Sequence, residues 1–424
     1  MMIPDDVKKV IDILESRGFK TYAVGGCVRD ALMGREVHDW DVATSARVNE
    51  VKSCLGQFKV IETGVKHGTV TVISGGQKIE VTTFRVDGAY SDGRHPDSVK
   101  FTDSLELDLG RRDFTVNAMA FSHDGGIIDL FGGRSDLESG VIRCVGSPDV
   151  RFQEDALRII RALRFSSVLC FELEKNTSEA VMSNSGLLKM IARERIWEEL
   201  KKLLCGANVY DVLIRYGEVF VEVIPQLRPL IDSARNSPSC TWERTVRAVE
   251  LIKPDPVLRF AVLMCGVERS LSCDKKDGLS IDGAVRSLKM SGEERNRIVT
   301  LVGNSKGCVV PDRRNIKRWL RDLGERAFKD LLSIKVSELQ AEGKNAEALK
   351  DLRRAEEITE EILAGKECFC LRHLAVNGND MMSHGADSGK RIGELLMTLL
   401  EAVIDGECEN EREALLRFLS ERLL

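Results

Sequence analysis

The segment YAVGGCVRDALMGREVHDWDVATS, residues 22–45, constrains this chain more than any other stretch. Tyr22 to Val24 reads as a short strand that runs into Gly25-Gly26, where the backbone can turn sharply and pass close to a ligand. A helix is expected from about Val28, its leading amides suited to phosphate, and Arg29 adds a charge-assisted donor. A second strand, Asp39 to Thr44, carries Asp39 and Asp41. Strand side chains alternate faces, so these two carboxylates project together from anchors roughly 7 Å apart. Such a pair can converge on hard cations. Mg²⁺ prefers one or two carboxylates plus phosphate oxygens, and two ions about 4 Å apart can activate a hydroxyl and steady a leaving oxygen. Glu80, on a later strand, can complete the set. Each feature alone is weak: D-x-D also describes solvated acids at a strand end, and Gly-Gly a tight turn with Arg29 paired to Asp30 or Glu36. Their union in one strand–helix–strand passage favours a phosphate and metal site.

The surroundings agree with a mixed α/β domain. Pro4 and Asp5 can open a helix with apolar positions Val7, Val10, Ile11 and Leu14, ended by Gly18, and strand-like runs begin at Gly68 and Lys78. From Ser147, a cap followed by Pro148 in the first turn, nearly everything reads as helix. With 424 residues, 43% of them hydrophobic, the chain can build several cores. Loops at NSPSC, CDKKDGLSIDG and VNGNDMMSHGADSGK mark boundaries within the helical part. A net charge of -5 gives no global sign of a nucleic-acid partner, so any basic surface must be local. Twelve cysteines without a C-x-x-C pair read as reduced thiols of a cytoplasmic protein. Neither a secretory leader nor a membrane span is expected.

GGCVRD followed by DWDVATS resembles the head of the polymerase beta-like nucleotidyltransferases. More specifically, it is similar to the class II tRNA nucleotidyltransferases, the CCA-adding enzymes, and to the related bacterial poly(A) polymerases. EVTTFR at 80, RRDFTVNAMA at 111, EDALRIIRALRF at 154, RERIWEEL at 193 and the passages around 374–382 and 405–419 carry the same likeness. The resemblance implies an α+β fold, a mixed-sheet head at 1–146 followed by an all-helical neck at 147–206, body at 207–305 and tail at 306–424. It also implies two Mg²⁺ ions held by Asp39 and Asp41, with CTP, ATP and tRNA as partners and no obligate protein partner.

Within EDALRIIRALRF, Asp155, Arg158, Arg161 and Arg164 recur every three residues, each about 60° behind the last on a continuous helix. The pattern alone is compatible with an exposed face stitched by an Asp155–Arg158 ion pair. The resemblance instead makes Asp155 and Arg158 the readers of the incoming base, with Arg161 and Arg164 on the same nucleotide face. The chemistry is sound: Asp155 offers acceptors and Arg158 donors. Cytosine and adenine present an amino donor beside a ring-nitrogen acceptor, whereas uracil and guanine would set like against like, and unpaired buried polar groups enforce the choice. In RRDFTVNAMA the resemblance implies that Asp113 accepts from a ribose hydroxyl, Arg112 meets the triphosphate or base, and Asn117 supports them.

The polar segment 84–101 reads as a loop of the kind that helps such enzymes switch from C to A, which favours complete CCA addition, although His95 stands where relatives commonly carry an arginine. Residues 306–326 carry a local charge of +4, and Arg313, Arg314, Lys317, Arg318 and Arg321 are the candidate RNA contacts. The expected reaction is attack of a tRNA 3′-hydroxyl on the α-phosphate of CTP or ATP, releasing pyrophosphate. The alternatives are addition of CC or A alone, a bacterial poly(A) polymerase, or an inactive RNA-binding protein.

Overall fold

The computed structural model describes residues 3–88, 99–236, 241–270, 281–343, 345–386 and 389–422. His95 and most of the expected loop lie outside the described residues. The chain forms two compact units, residues 1–228 with 287–289, and 229–286 with 290–424.

In the first unit, α1 (Asp5–Ser16), β1 (Thr21–Val24), α2 (Gly26–Leu32), β2 (Trp40–Thr44), α3 (Val48–Cys54), β3 (Lys59–Gly64), β4 (Thr69–Ser74) and β5 (Gln77–Thr83) come first. A small hairpin of β6 (Arg85–Asp87) and β7 (Val99–Phe101) follows, then α4 (Leu105–Gly110), β8 (Met119–Ser122), β9 (Gly126–Asp129), α5 (Gly133–Ser139) and β10 (Val141–Ile142). Seven of these strands make one sheet in the order β3-β4-β5-β2-β1-β8-β9, antiparallel throughout except where β2 runs parallel to β5.

Strand alternation sends Ala23, Val42, Val70, Val72, Ile79 and Val81 to one face, where α1 buries Val7, Val10, Ile11 and Leu14 as its helical spacing requires. Each such side chain contributes about 1.5–3 kcal/mol of burial. Val24, Ala43, Phe84, Leu109 and Ala120 go to the other face. Asp41 shares parity with Ala43, and Asp41 pairs in register with Glu80, so both carboxylates stand on the second face, on the side of α4.

The neck begins with α6 (Pro148–Glu154) and α7 (Leu157–Leu169), followed by β11 (Glu172–Leu173), α8 (Lys175–Ser183), α9 (Arg193–Leu204) and α10 (Val209–Val221). Ser147 does occupy the position before α6, but its hydroxyl makes no capping bond. The continuous helix expected across EDALRIIRALRF is interrupted at Asp155, which is extended (φ -140°, ψ 103°) and whose Oδ1 accepts the Leu157 N–H at 3.0 Å. That side chain offers the backbone a bond that continuing the helix would forgo. β11 pairs in parallel with β10, so the chain after 147 is not wholly helical. α10 packs on α7 and α8, which carries the first unit past residue 206 to Arg228.

Beyond it lie α11 (Arg228–Asn236), α12 (Thr241–Leu251), α13 (Pro256–Ser270), α14 (Ile281–Ser287), α15 (Gly292–Asn304), α16 (Arg313–Glu342), α17 (Ala346–Ala364), α18 (Gly378–Ser383), α19 (Gly389–Asp405) and α20 (Arg412–Arg422). In the second unit α16 lies against α12 and α17, and Leu395, Leu399, Leu400, Leu415 and Leu419 form a separate small core near the end of the chain. Among the described residues no helix is long and apolar enough to cross a membrane, and ten cysteines are free.

Candidate active site

The Gly-Gly turn has a specific steric cause. Gly25 adopts φ +80°, and a Cβ at that position would stand 2.7 Å from Arg112 Nη1. Only glycine meets both demands without strain. Its N–H donates to the Met119 carbonyl of β8 at 3.1 Å, and α2 opens at Gly26, two residues earlier than expected. Arg29 forks onto Asp30, with Nε and Nη2 each 2.9 Å from a carboxylate oxygen, and also donates to Asn117 Oδ1. Asn117 donates in turn to Asp113 Oδ1 at 3.0 Å.

Asp113 does not present a free acceptor to a ribose. Its Oδ1 also accepts the Phe114 N–H at 2.9 Å, and Oδ2 accepts Arg161 Nε and Nη2 at 2.8 and 2.6 Å. These bonds fill the roughly four lone-pair sites of a carboxylate. Burial raises its pKa, but Arg161 and Asn117 outweigh that and hold the carboxyl far below the usual range. Asp113 therefore orients Asn117 and Arg161, linking α2 to α7.

Asp41 and Glu80 stand opposite each other on β2 and β5, whereas the expected strand from Asp39 begins only at Trp40 and leaves Asp39 just outside it. Burial pushes Asp41 up to about 6, with Arg112 opposing and Glu80 and Asp39 adding to the rise. Asp39 and Glu80 are exposed while Asp41 is partly buried. A partly buried carboxylate crowded by two more acids is stabilised by a dication, and the donor set is all oxygen, so the residues present fit a hard divalent ion. Among the described residues no group of three or more His, Cys, Asp or Glu side chains is placed to hold a metal ion, so Asp39, Asp41 and Glu80 are not gathered into one ligand set.

Sequence reasoning missed Asp108. This carboxylate is completely buried and pairs with Arg111 at 2.8 Å and Arg112 at 3.4 Å, while its Oδ1 accepts the Arg85 N–H. Its burial is a cost that the two arginines more than offset, lowering its pKa. Among the described residues Arg112 Nε is buried with no hydrogen-bond partner, a donor left over beside the Gly25 turn.

Asp155 and Arg158 do not pair with each other. Asp155 Oδ2 accepts Arg195 Nη2 at 3.0 Å, whereas Arg158 donates to Glu154 at 2.6 Å and to the Arg111 carbonyl at 3.0 Å. The break at Asp155 separates them, leaving acceptor and donor held from outside by Arg195 and Glu154. Arg164 reaches Glu199 at 3.1 Å, and Arg161 reaches the same carboxylate at 3.7 Å. Burial, followed by repulsion from Arg161, brings Arg164 down to about 10. Arg161 has Asp113 in addition, and its pKa is raised.

All ten residues expected to bind nucleotide line one cavity of about 420 Å³: Gly25, Gly26, Arg29, Arg112, Asp113, Asn117, Asp155, Arg158, Arg161 and Arg164. Asp41 lies on its wall with Arg111 and Phe165. Six arginines against three aspartates give the lining an excess of positive charge suited to a polyphosphate.

The expected RNA cluster in the second unit is largely neutralised. Arg313 pairs with Glu361 and Glu367, Lys317 with Glu367, Arg318 with Asp405 and Glu401, and Arg321 with Asp322 and Glu401. The local count of +4 overlooked Glu361 of α17, Glu367 just after it, and Glu401 and Asp405 of α19. Arg314 is exposed and, among the described residues, has no ion-pair partner.

Comparison with known proteins gives a consistent picture. Residues 21–143 match the family model of the poly A polymerase head domain, 170–230 an RNA and SrmB-binding site of polymerase A, and 271–419 a tRNA nucleotidyltransferase domain 2. The CCA-adding enzyme of Lactobacillus delbrueckii subsp. bulgaricus is 35% identical over 415 residues, covering 97% of this chain and 96% of that one. That of Geobacillus thermodenitrificans is 36% identical over 421 residues with the same shares covered. The crystal structure of the Bacillus stearothermophilus CCA-adding enzyme in complex with CTP superimposes with a TM-score of 0.75 at 31% identity, covering 99% of this chain and 98% of that one.

Proposed function

The chain belongs to the CCA-adding enzymes, and from that premise we propose that the arginine-lined cavity of its first unit is where nucleotides are selected and joined to tRNA. The enzyme is a nucleotidyltransferase that adds C, C and A to the tRNA 3′ end from CTP and ATP, releasing pyrophosphate. One observation carries the site assignment: a single cavity collects the cationic residues, the Asp155 and Arg158 side chains and Asp41.

In this reading Arg29, Arg112, Arg161 and Arg164 grip the triphosphate, with Gly25 and Gly26 letting the backbone approach. Arg112 stays in place because Asp108 neutralises it and Gly25 leaves it room. Asp155 keeps acceptor capacity towards an exocyclic amino group, and Arg158 donates towards the ring nitrogen of C or A. Asp39 and Asp41, with Glu80 beside them, would hold divalent cations, which we take to be two Mg²⁺. When bound, these supply Lewis acidity to the attacking hydroxyl and the leaving pyrophosphate. The division of labour follows: residues 1–146 catalyse, 147–206 select the base, and 207–424 hold tRNA, with Arg314, exposed and without an ion-pair partner among the described residues, a phosphate contact of the basic helix. A cytoplasmic location fits this substrate.

The test supplies Mg²⁺ and each nucleotide, singly and mixed, to tRNAs ending before the first C, the second C and the A. The expected products stop at CCA. Long A tracts on general RNA would point to a poly(A) polymerase, arrest after CC or extension by A alone to a partial enzyme, and no product to a binding protein.

A further inference from the structure

Phe165 follows Arg164 on α7 and is 6% exposed. Three guanidinium groups gather on its ring: Arg164 at 3.9 Å, Arg29 at 5.0 Å and Arg161 at 5.4 Å from the centroid. The ring edge meets Phe114 at 5.7 Å and 79°. Three like charges so close together repel one another. Asp30 and Asn117 restrain Arg29, and Asp113 restrains Arg161, but among the described residues Arg164 has a single ion-pair partner, Glu199, which it shares. Burial and the neighbouring Arg161 already draw the Arg164 guanidinium down to about 10. An aromatic face carries negative charge density that an aliphatic side chain of similar bulk lacks.

We propose that Phe165 is a positioning residue for the polyphosphate of the incoming nucleotide, its ring holding Arg29 from α2 and Arg161 and Arg164 from α7 as one array. The inference rests on the nucleotide assignment of the cavity. Asp155 and Arg158 are held by Arg195, Glu154 and the Arg111 carbonyl, so the array acts on phosphate whichever base is present.

The experiment compares the full-length wild-type enzyme with Phe165→Leu, Phe165→Met and Phe165→Tyr. It measures KM and kcat for CTP and ATP, and binding of inorganic tripolyphosphate and of cytidine by calorimetry. Loss of the ring is expected to weaken tripolyphosphate binding and raise KM for both nucleotides by the same factor, about 3- to 30-fold. Cytidine binding and kcat should stay within about threefold, and Phe165→Tyr should restore most of the affinity. Phe165→Met gives the same reading should Phe165→Leu fail to fold. Equal deficits in the Leu and Tyr variants, a fall in kcat with KM unmoved, or an equal loss of cytidine binding would overturn the proposal. If wild-type CTP binding survives Arg112→Ala undiminished, the nucleotide assignment itself fails. If it does not survive, yet Phe165→Leu binds tripolyphosphate like wild type, only the role of Phe165 fails.

Discussion

Gly25 and Arg112 share one volume: the guanidinium occupies the space that a side chain on residue 25 would need, at 2.7 Å from the position of its Cβ. Gly25→Ala must therefore adopt φ near +80° at a cost of about 1–2 kcal/mol and push Arg112 aside. We expect a modest loss of thermal stability and a KM for CTP raised about tenfold or more, since a charge-assisted contact is worth about 1.5–3 kcal/mol. Steady-state kinetics with CTP alone check this.

Asp113 and Arg161 form a buried pair whose acid sensitivity has a definite sign. The Asp113 carboxyl is held below its unfolded value, so the pair stabilises the fold above the ordinary carboxylate range, near pH 4. That contribution is lost as pH falls through the lower folded value. Asp113→Asn should cost roughly 3 kcal/mol at neutral pH and flatten the acid limb of the stability curve. Urea unfolding from pH 7 down to about pH 2 would show the loss setting in below about pH 4.

Arg195 holds Asp155 at 3.0 Å from 40 residues away. Arg195→Met leaves the Asp155 carboxylate free to turn, so discrimination should suffer more than turnover. We expect misincorporation of UTP and GTP to rise about tenfold, the factor for about 1.4 kcal/mol, as read by single-nucleotide extension.

Arg314 and Arg318 separate RNA contact from packing. Arg314→Ala should leave the melting temperature unchanged, weaken tRNA binding and reduce its salt slope by about one. Arg318→Ala breaks the Asp405 and Glu401 pairs and should lower the melting temperature instead. Filter binding over a salt series, with calorimetric melts, distinguishes the two effects.

What the sequence revealed depended on range. Val7, Val10, Ile11 and Leu14 face the core because helical spacing is local, whereas Asp41 and Glu80 share a face through the register of β2 with β5, which no local pattern reveals. All ten residues proposed to bind nucleotide stand in short motifs that carry the family resemblance, although no spacing rule showed that their three segments would close on one cavity. Partners of those residues were not legible. Asp113 meets Arg161 across 48 positions, Arg29 meets Asn117 across 88, and Arg318 meets Asp405 across 87. The helix break at Asp155 was hidden because its cause is one side-chain bond to Leu157, in a stretch whose apolar periodicity continues unbroken. Phe165 was overlooked because it reads as an ordinary core aromatic, and only the fold brings Arg29 to its ring.

The most direct test exchanges the donor and acceptor proposed to read the base. In Asp155→Arg/Arg158→Asp, single-nucleotide extension of a tRNA lacking its 3′ end is expected to shift from CTP and ATP towards UTP and GTP, whose edges present the reversed pattern. An exchanged enzyme that still folds, still extends, and still prefers CTP and ATP would contradict the account.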